Sequence, residues 1–168
     1  YLPQQGAKSS LDAQFDGFVP GEGVGVVVLK RLSDARRDGD QIRGVIRGIG
    51  SASNFAATEA AAATAMERAL QQSRIDPTGV GLLEDAGVLA VQLEAGGTNV
   101  PTAKLHSSQR KQPVLLGSMT SQIGHLTGAS GMASLVKATL ELEHGQVPGN
   151  FALTTPAESI SSTPQIFY

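Results

Sequence analysis

The chain has 168 residues, 40% of them hydrophobic, enough for one domain with a sizeable core. Aromatics make up 4% and tryptophan is absent, so the interior must be aliphatic and rich in alanine and glycine. A formal net charge of −2, without a basic stripe, argues against nucleic-acid binding. Zero cysteines exclude disulfides, thiolate metal sites and a cysteine nucleophile within these residues. No stretch reads as a membrane span or a leader, so a cytoplasmic location is the expectation. His106, His125 and His144 are too scattered to suggest a metal site.

Residues 1–10 are polar and irregular and read as a lead-in without packing, which starts the domain proper at Leu11 and runs it to residue 168. Val24 to Leu29, β-branched residues with glycine, predicts a buried strand. Lys30 to Asp40 is a charged connector with room for a short helical turn before Gly39 and Asp40 break it. Ile42 to Ile49 predicts a second strand, and the short connector suits an antiparallel hairpin. Thr58 to Arg74 is rich in Ala, Glu, Met, Leu and Gln and predicts a helix, ended by Ile75-Asp76-Pro77. Val80 to Leu83, Val88 to Leu93 and Pro113 to Leu116 are apolar runs that suit strands, with a polar stretch from Glu94 to Gln112. Gly117 to Gly145 joins a polar loop to a long helix whose Met132, Leu135, Val136, Thr139 and Leu140 share one face. Small residues crowd its first turns and predict a central, buried helix. The tail from Gly149 is rich in Ser, Thr and Pro. This order of elements predicts an α/β fold, layered helices on a mixed, partly parallel sheet.

His125 falls at or just before that helix, where free amides and the macrodipole favour negative charge and oppose protonation of an imidazole. A neutral imidazole there can donate to a developing oxyanion; it can equally just anchor the loop. Thr120, Ser121 and Gln122 offer polar contacts to an acyl group beside it, or hydrogen bonds within the loop. Gly21-Glu22-Gly23-Val24-Gly25 precedes a strand instead of linking a strand to a helix, so close backbone packing is favoured over a nucleotide site. Asp12, Asp16 and Glu22 read as caps of backbone amides rather than acid–base groups. His144, before Gly145, reads as a helix C-terminal cap.

Leu11 to Ser53, then IDPTGVGLLE, then PVLLGSMTSQIGH with its helix, resemble the β-ketoacyl synthase (ketosynthase) domains of polyketide and polyunsaturated-fatty-acid synthases. The resemblance runs from Leu11 to about Asn150. It implies a thiolase-like fold, of which this chain carries the end of the first half and most of the C-terminal half. It also implies decarboxylative Claisen condensation of thioesters borne on the phosphopantetheine of acyl carrier protein, with no bound cofactor and no metal. In that family a cysteine takes the acyl chain, and two histidines bind the extender carbonyl and stabilise the enolate. The cysteine would precede Tyr1, and the second histidine corresponds to His125.

The first histidine belongs to a pattern resembling E-A-H-G-T-G-T. One register sets Glu84-Asp85-Ala86-Gly87 against it and puts Ala86 in the histidine position; another uses Glu94-Ala95-Gly96-Gly97-Thr98 and puts Gly96 there. The first is preferred, because Val80 to Glu84 matches the usual approach and the distance to Pro113 fits. Thr120 stands where the family loop G-S-V-K-S-N-I-G-H has lysine. The segment between Asn54 and Thr58 is shorter than in relatives, and the family's late glycine-rich strand is missing. Ala86, Gly96 and Thr120 are therefore read as degenerate site positions. The resemblance favours a non-condensing, chain-length-factor-like subunit or domain that shapes a partner's acyl site, against two alternatives: part of an active synthase, or a small α/β ligand-binding module. Its implied partners are acyl carrier protein, a ketosynthase in a homo- or heterodimer, and the missing N-terminal half.

Overall fold

A computed structural model describes residues 2–4, 6–53, 58–86, 110–161 and 166–167. Strands β1 (Leu82–Asp85), β2 (Val114–Ser118) and β3 (Ile166–Phe167) form a parallel sheet in that order. Helices are α1 (Leu32–Asp38), α2 (Thr58–Ser73), α3 (Thr120–Ile123), α4 (Ser130–His144) and α5 (Glu158–Ser161). The expected runs at 80–83 and 113–116 thus become β1 and β2, each shifted one or two residues onward. The expected strand from Val88 to Leu93, together with His106 and Gly96, lies outside the described residues.

Along β2, Val114 and Leu116 are buried while Leu115 turns outward, the period of two that a sheet face imposes. Leu116 joins Leu11, Ala157 and Ile160 in the core, with Leu83 and Leu153 packed against it. The two ends of the chain therefore meet under the sheet. Asn150 ties the tail to β2: its Oδ1 accepts from Ser118 N at 2.8 Å and its Nδ2 donates to the Leu116 carbonyl at 2.9 Å.

The lead-in needs correction. Ser9 and Ser10 are fully buried, and Ser9 N donates to the Ala152 carbonyl, so packing begins before Leu11. Polar residues can be interior when their hydroxyls find partners, which composition alone does not reveal.

The runs Val24 to Leu29 and Ile42 to Ile49 are not strands, and no hairpin forms between them. Both lie extended against helices with glycine facing in. A Cβ on Gly25 would strike Met132 of α4, and one on Gly48 or Gly50 would strike the α2 backbone. Val24, Val26 and Val28 face outward at 83–95% exposure. A strand needs a neighbouring backbone to complete its ladder, and neither run pairs among the described residues. The connector does hold the expected turn: α1 ends at Gly39 (φ 72°), whose N–H donates to the Ala35 carbonyl. Helix α2 ends one residue short of the expected Arg74, and Asp76 then caps a 3₁₀ turn by accepting from Thr78 N at 2.7 Å.

The buried face of α4 also differs from the expected one. Ser130, Ser134 and Glu141 are its buried residues, whereas Leu135 and Leu140 of the apolar stripe are 37% and 46% exposed. Small serines let the helix approach β1 closely, where Ser134 Oγ donates to the Asp85 carbonyl at 3.4 Å. Lys137 makes that polar face tenable, since its Nζ lies 2.6 Å from Glu84 Oε2 and 3.4 Å from Glu141 Oε1.

Candidate functional site

The parallel register places Glu84 beside Gly117 and Asp85 beside Ser118, so β1 and β2 end at the same edge. Ala86 follows β1 there, half-buried, and the loop through α3 to His125 follows β2. Ligand sites in open α/β sheets gather at such carboxyl ends, because successive loops converge there.

His125 is held from both sides by backbone. Its N–H donates to the Val19 carbonyl at 2.8 Å, and its carbonyl accepts from Gly21 N at 3.1 Å, forming a bridge between Pro20 and His125. This is the close packing expected of the Gly21 to Gly25 stretch: a Cβ on Gly21 would meet the Ile123 carbonyl oxygen and Leu126. Gly124 has φ 78°, and a Cβ there would lie 2.8 Å from the Val19 oxygen, so glycine is required twice over. The imidazole packs on Phe18 at 4.5 Å between ring centroids. Nδ1 accepts from Thr127 N at 3.1 Å, which fixes the neutral ring as the Nε2–H tautomer. The histidine therefore presents a donor.

It does not sit at the helix terminus. A 3₁₀ turn, Thr127–Ala129, intervenes, and α4 begins at Ser130, whose Oγ accepts from Leu126 N at 3.1 Å. The loop needs that extra turn because Gly124 and Thr127 (φ 51°) both adopt left-handed backbone that no helix accommodates. His144 does close α4, ahead of Gly145 at φ 63°.

The three polar neighbours separate. Thr120 is buried, and its Oγ1 lies 3.0 Å from Ser118 Oγ. Ser121 Oγ is buried with no hydrogen-bond partner among the described residues, and Gln122 is exposed. Ser118 Oγ in turn lies 2.8 Å from Ser10 Oγ, which donates to Asp85 Oδ2 at 3.1 Å. Sequence reasoning named Thr120 but missed Ser118, Ser10 and Asp85, the chain it joins. Its visible signal was the acidic pair Glu84-Asp85 that closes the strand Leu82–Asp85.

A second polar group lies under the same strands. Burial pushes the Glu84 carboxyl above its usual range, with the Lys137 ammonium opposing the rise and the Glu141 and Asp85 charges adding to it. Two of the three turn carboxylates take backbone amides as expected: Asp12 accepts from Gln14, Thr154 and Thr155, and Asp16 from Gln4. Among the described residues no group of three or more His, Cys, Asp or Glu is arranged to hold a metal ion, and no helix is long and apolar enough to cross a membrane.

Comparison with known proteins places this geometry. A phenolphthiocerol/phthiocerol polyketide synthase polypeptide of Mycobacterium tuberculosis is 38% identical over 173 residues, covering 96% of this chain but 9% of the synthase polypeptide. Among solved structures, the ketosynthase from module 6 of the bacillaene synthase of Bacillus subtilis 168 superposes with a TM-score of 0.81 at 29% identity, covering 94% of this chain and 30% of that one. A type II polyketide ketosynthase solved with its acyl carrier protein gives a TM-score of 0.79 at 25% identity, over 93% of this chain and 39% of its own. The chain thus spans under a tenth of the full synthase polypeptide it matches and about a third of a ketosynthase chain. The fold is thiolase-like. The model of the β-ketoacyl synthase N-terminal domain matches residues 1–35 and that of the C-terminal domain residues 43–154, and the chain accordingly belongs to the β-ketoacyl synthase family, as the later part of its domain.

Proposed function

We propose that this chain is part of a non-condensing ketosynthase domain or subunit of a polyketide or fatty-acid synthase, one that shapes the acyl site of a partner ketosynthase. The observation that carries the reading is Thr120: where family members have a lysine, this chain has a short hydroxyl drawn 3.0 Å from the buried Ser118 Oγ. Ala86, in the preferred register, brings only a methyl group to the end of β1, where a second imidazole would be needed. His125 keeps its donor tautomer and can still bind a thioester carbonyl. Binding that carbonyl without a second donor falls short of stabilising an enolate, since losing one preorganised donor costs roughly 2.7–4 kcal/mol of transition-state stabilisation.

The acyl groups would arrive on the phosphopantetheine of acyl carrier protein, as substrates. Thr120, Ser121 and Gln122 would line the arm's approach, Ser121 Oγ being a buried hydroxyl without a partner among the described residues. The exposed faces of Val24, Val26 and Val28 suit burial against the rest of the domain, and they count against a self-sufficient ligand-binding module. A cytoplasmic location and a homo- or heterodimeric ketosynthase partner belong to the same proposal.

The test is to purify the intact polypeptide and assay carbon–carbon bond formation from acyl- and malonyl-carrier protein, alone and with its partner ketosynthase. No turnover alone, with product length altered in the pair, is expected; turnover by this protein alone would overturn the reading. The alternative of an active synthase is favoured by the intact His125 geometry, and the same assay decides between them.

A further inference from the structure

We infer that Asp85 sets the direction of the buried hydroxyl chain and so leaves Thr120 as a hydrogen-bond acceptor, making the site favour a ligand that brings a hydroxyl or amide N–H over one that brings a carboxylate. This deepens the reading above and rests on it for the identity of the site.

Each hydroxyl has one proton to give. Ser10 gives its proton to Asp85 Oδ2 at 3.1 Å, so across the 2.8 Å contact Ser10 must accept from Ser118. Ser118 has then spent its proton, and across the 3.0 Å contact it must accept from Thr120. Thr120 is left with lone pairs only for any further partner. Ser10 and Ser118 are fully buried and Asp85 and Thr120 nearly so, which keeps bulk water away from the chain. The chain draws on three distant parts of the sequence, with Asp85 and Ser118 paired in register across β1 and β2. A carboxylate facing Thr120 would set lone pair against lone pair, where a lysine would have set an ammonium. A hydroxyl or amide N–H completes the bond. An asparagine at 85 could donate to Ser10, reverse every bond, and turn the Thr120 proton outward.

Two measurements on the intact protein test this. In a neutron crystal structure, deuterium on Thr120 Oγ1 lying toward Ser118 is expected; deuterium on Ser118 lying toward Thr120 overturns the inference. In calorimetric titrations, 3-hydroxybutyryl-pantetheine should bind about tenfold more tightly than malonyl-pantetheine, the worth of one hydrogen bond. Asp85→Asn should narrow or reverse that ratio, and Thr120→Val should abolish it. Ser118→Ala, which cuts the chain at its middle, serves if Asp85→Asn does not fold. Equal affinity for the two probes, binding of neither, or a ratio unmoved by these variants overturns the assignment of ligand class. Carbon–carbon bond formation with the preference intact would remove the non-condensing reading and leave this one standing.

Discussion

At the corner where residues 9–15 meet residues 150–160, Asp12 is ringed by donors, whereas beneath β1 and β2 the carboxylates of Glu84 and Glu141 share one ammonium. Asp12 Oδ2 accepts from Thr154 N at 2.6 Å, Thr155 N at 3.0 Å and Thr154 Oγ1 at 2.8 Å, and Oδ1 accepts from Gln14 N at 2.9 Å. Burial pushes its carboxyl up, but the amides of Thr155, Gln14 and Thr154 together outweigh burial and hold it well below the usual carboxylate range. Glu84 Oε2 accepts from Lys137 Nζ, yet Glu84 Oε1 and both oxygens of Glu141 are buried without hydrogen bonds among the described residues. There burial prevails over the ammonium, and the Glu84 carboxyl rises. Fixed backbone dipoles charge a buried carboxylate more effectively than one lysine shared between two acids.

The largest expected effect comes from breaking the weaker arrangement. Lys137→Met leaves two buried acids without a counter-ion and should cost about 3–5 kcal/mol, read as a fall in the urea midpoint. Asp12→Ala takes the shared acceptor from the part-buried amides of Gln14, Thr154 and Thr155 and should cost about 1–3 kcal/mol; an effect matching that of Lys137→Met would erase the contrast.

The pH dependence sharpens it further, because the two groups have opposite sign. The stabilisation from Asp12, whose folded carboxyl is depressed, is present above the ordinary carboxylate range and is lost as pH falls toward the folded value. Glu84 is raised, so its contribution is present below the ordinary range and is lost as pH rises through the folded value. Unfolding midpoints from about pH 3 to about pH 8 should therefore lose their acid limb in Asp12→Asn and flatten on the upper side in Glu84→Gln. The smallest effect should come from Val26→Thr on the outward face of the extended run, within about 0.5 kcal/mol in the isolated chain.

Local chemistry made part of this fold legible. The α2 helix, the turn of α1 with its Gly39 stop, and the runs that become β1 and β2 follow from propensity, capping and short apolar stretches. The two valine- and isoleucine-rich runs misled, since pairing depends on a neighbour that residues 24–29 and 42–49 do not name. The buried face of α4 misled for another reason: its apolar stripe is visible in sequence, while Ser130 and Ser134 are interior because their hydroxyls meet Leu126 N and the Asp85 carbonyl, and Glu141 lies beside Lys137 of its own helix. At the site, His125 and Thr120 could be picked out from their loop. Ser10, Asp85 and Ser118 could not, because only the fold brings positions so far apart in sequence within hydrogen-bond reach.

The central claim concerns Thr120 and Ala86, and the assay of carbon–carbon bond formation by the intact protein without its partner bears on it most directly. The account predicts no condensation product from acyl- and malonyl-carrier protein while acyl-carrier binding persists. Condensation product released by this protein alone would contradict it.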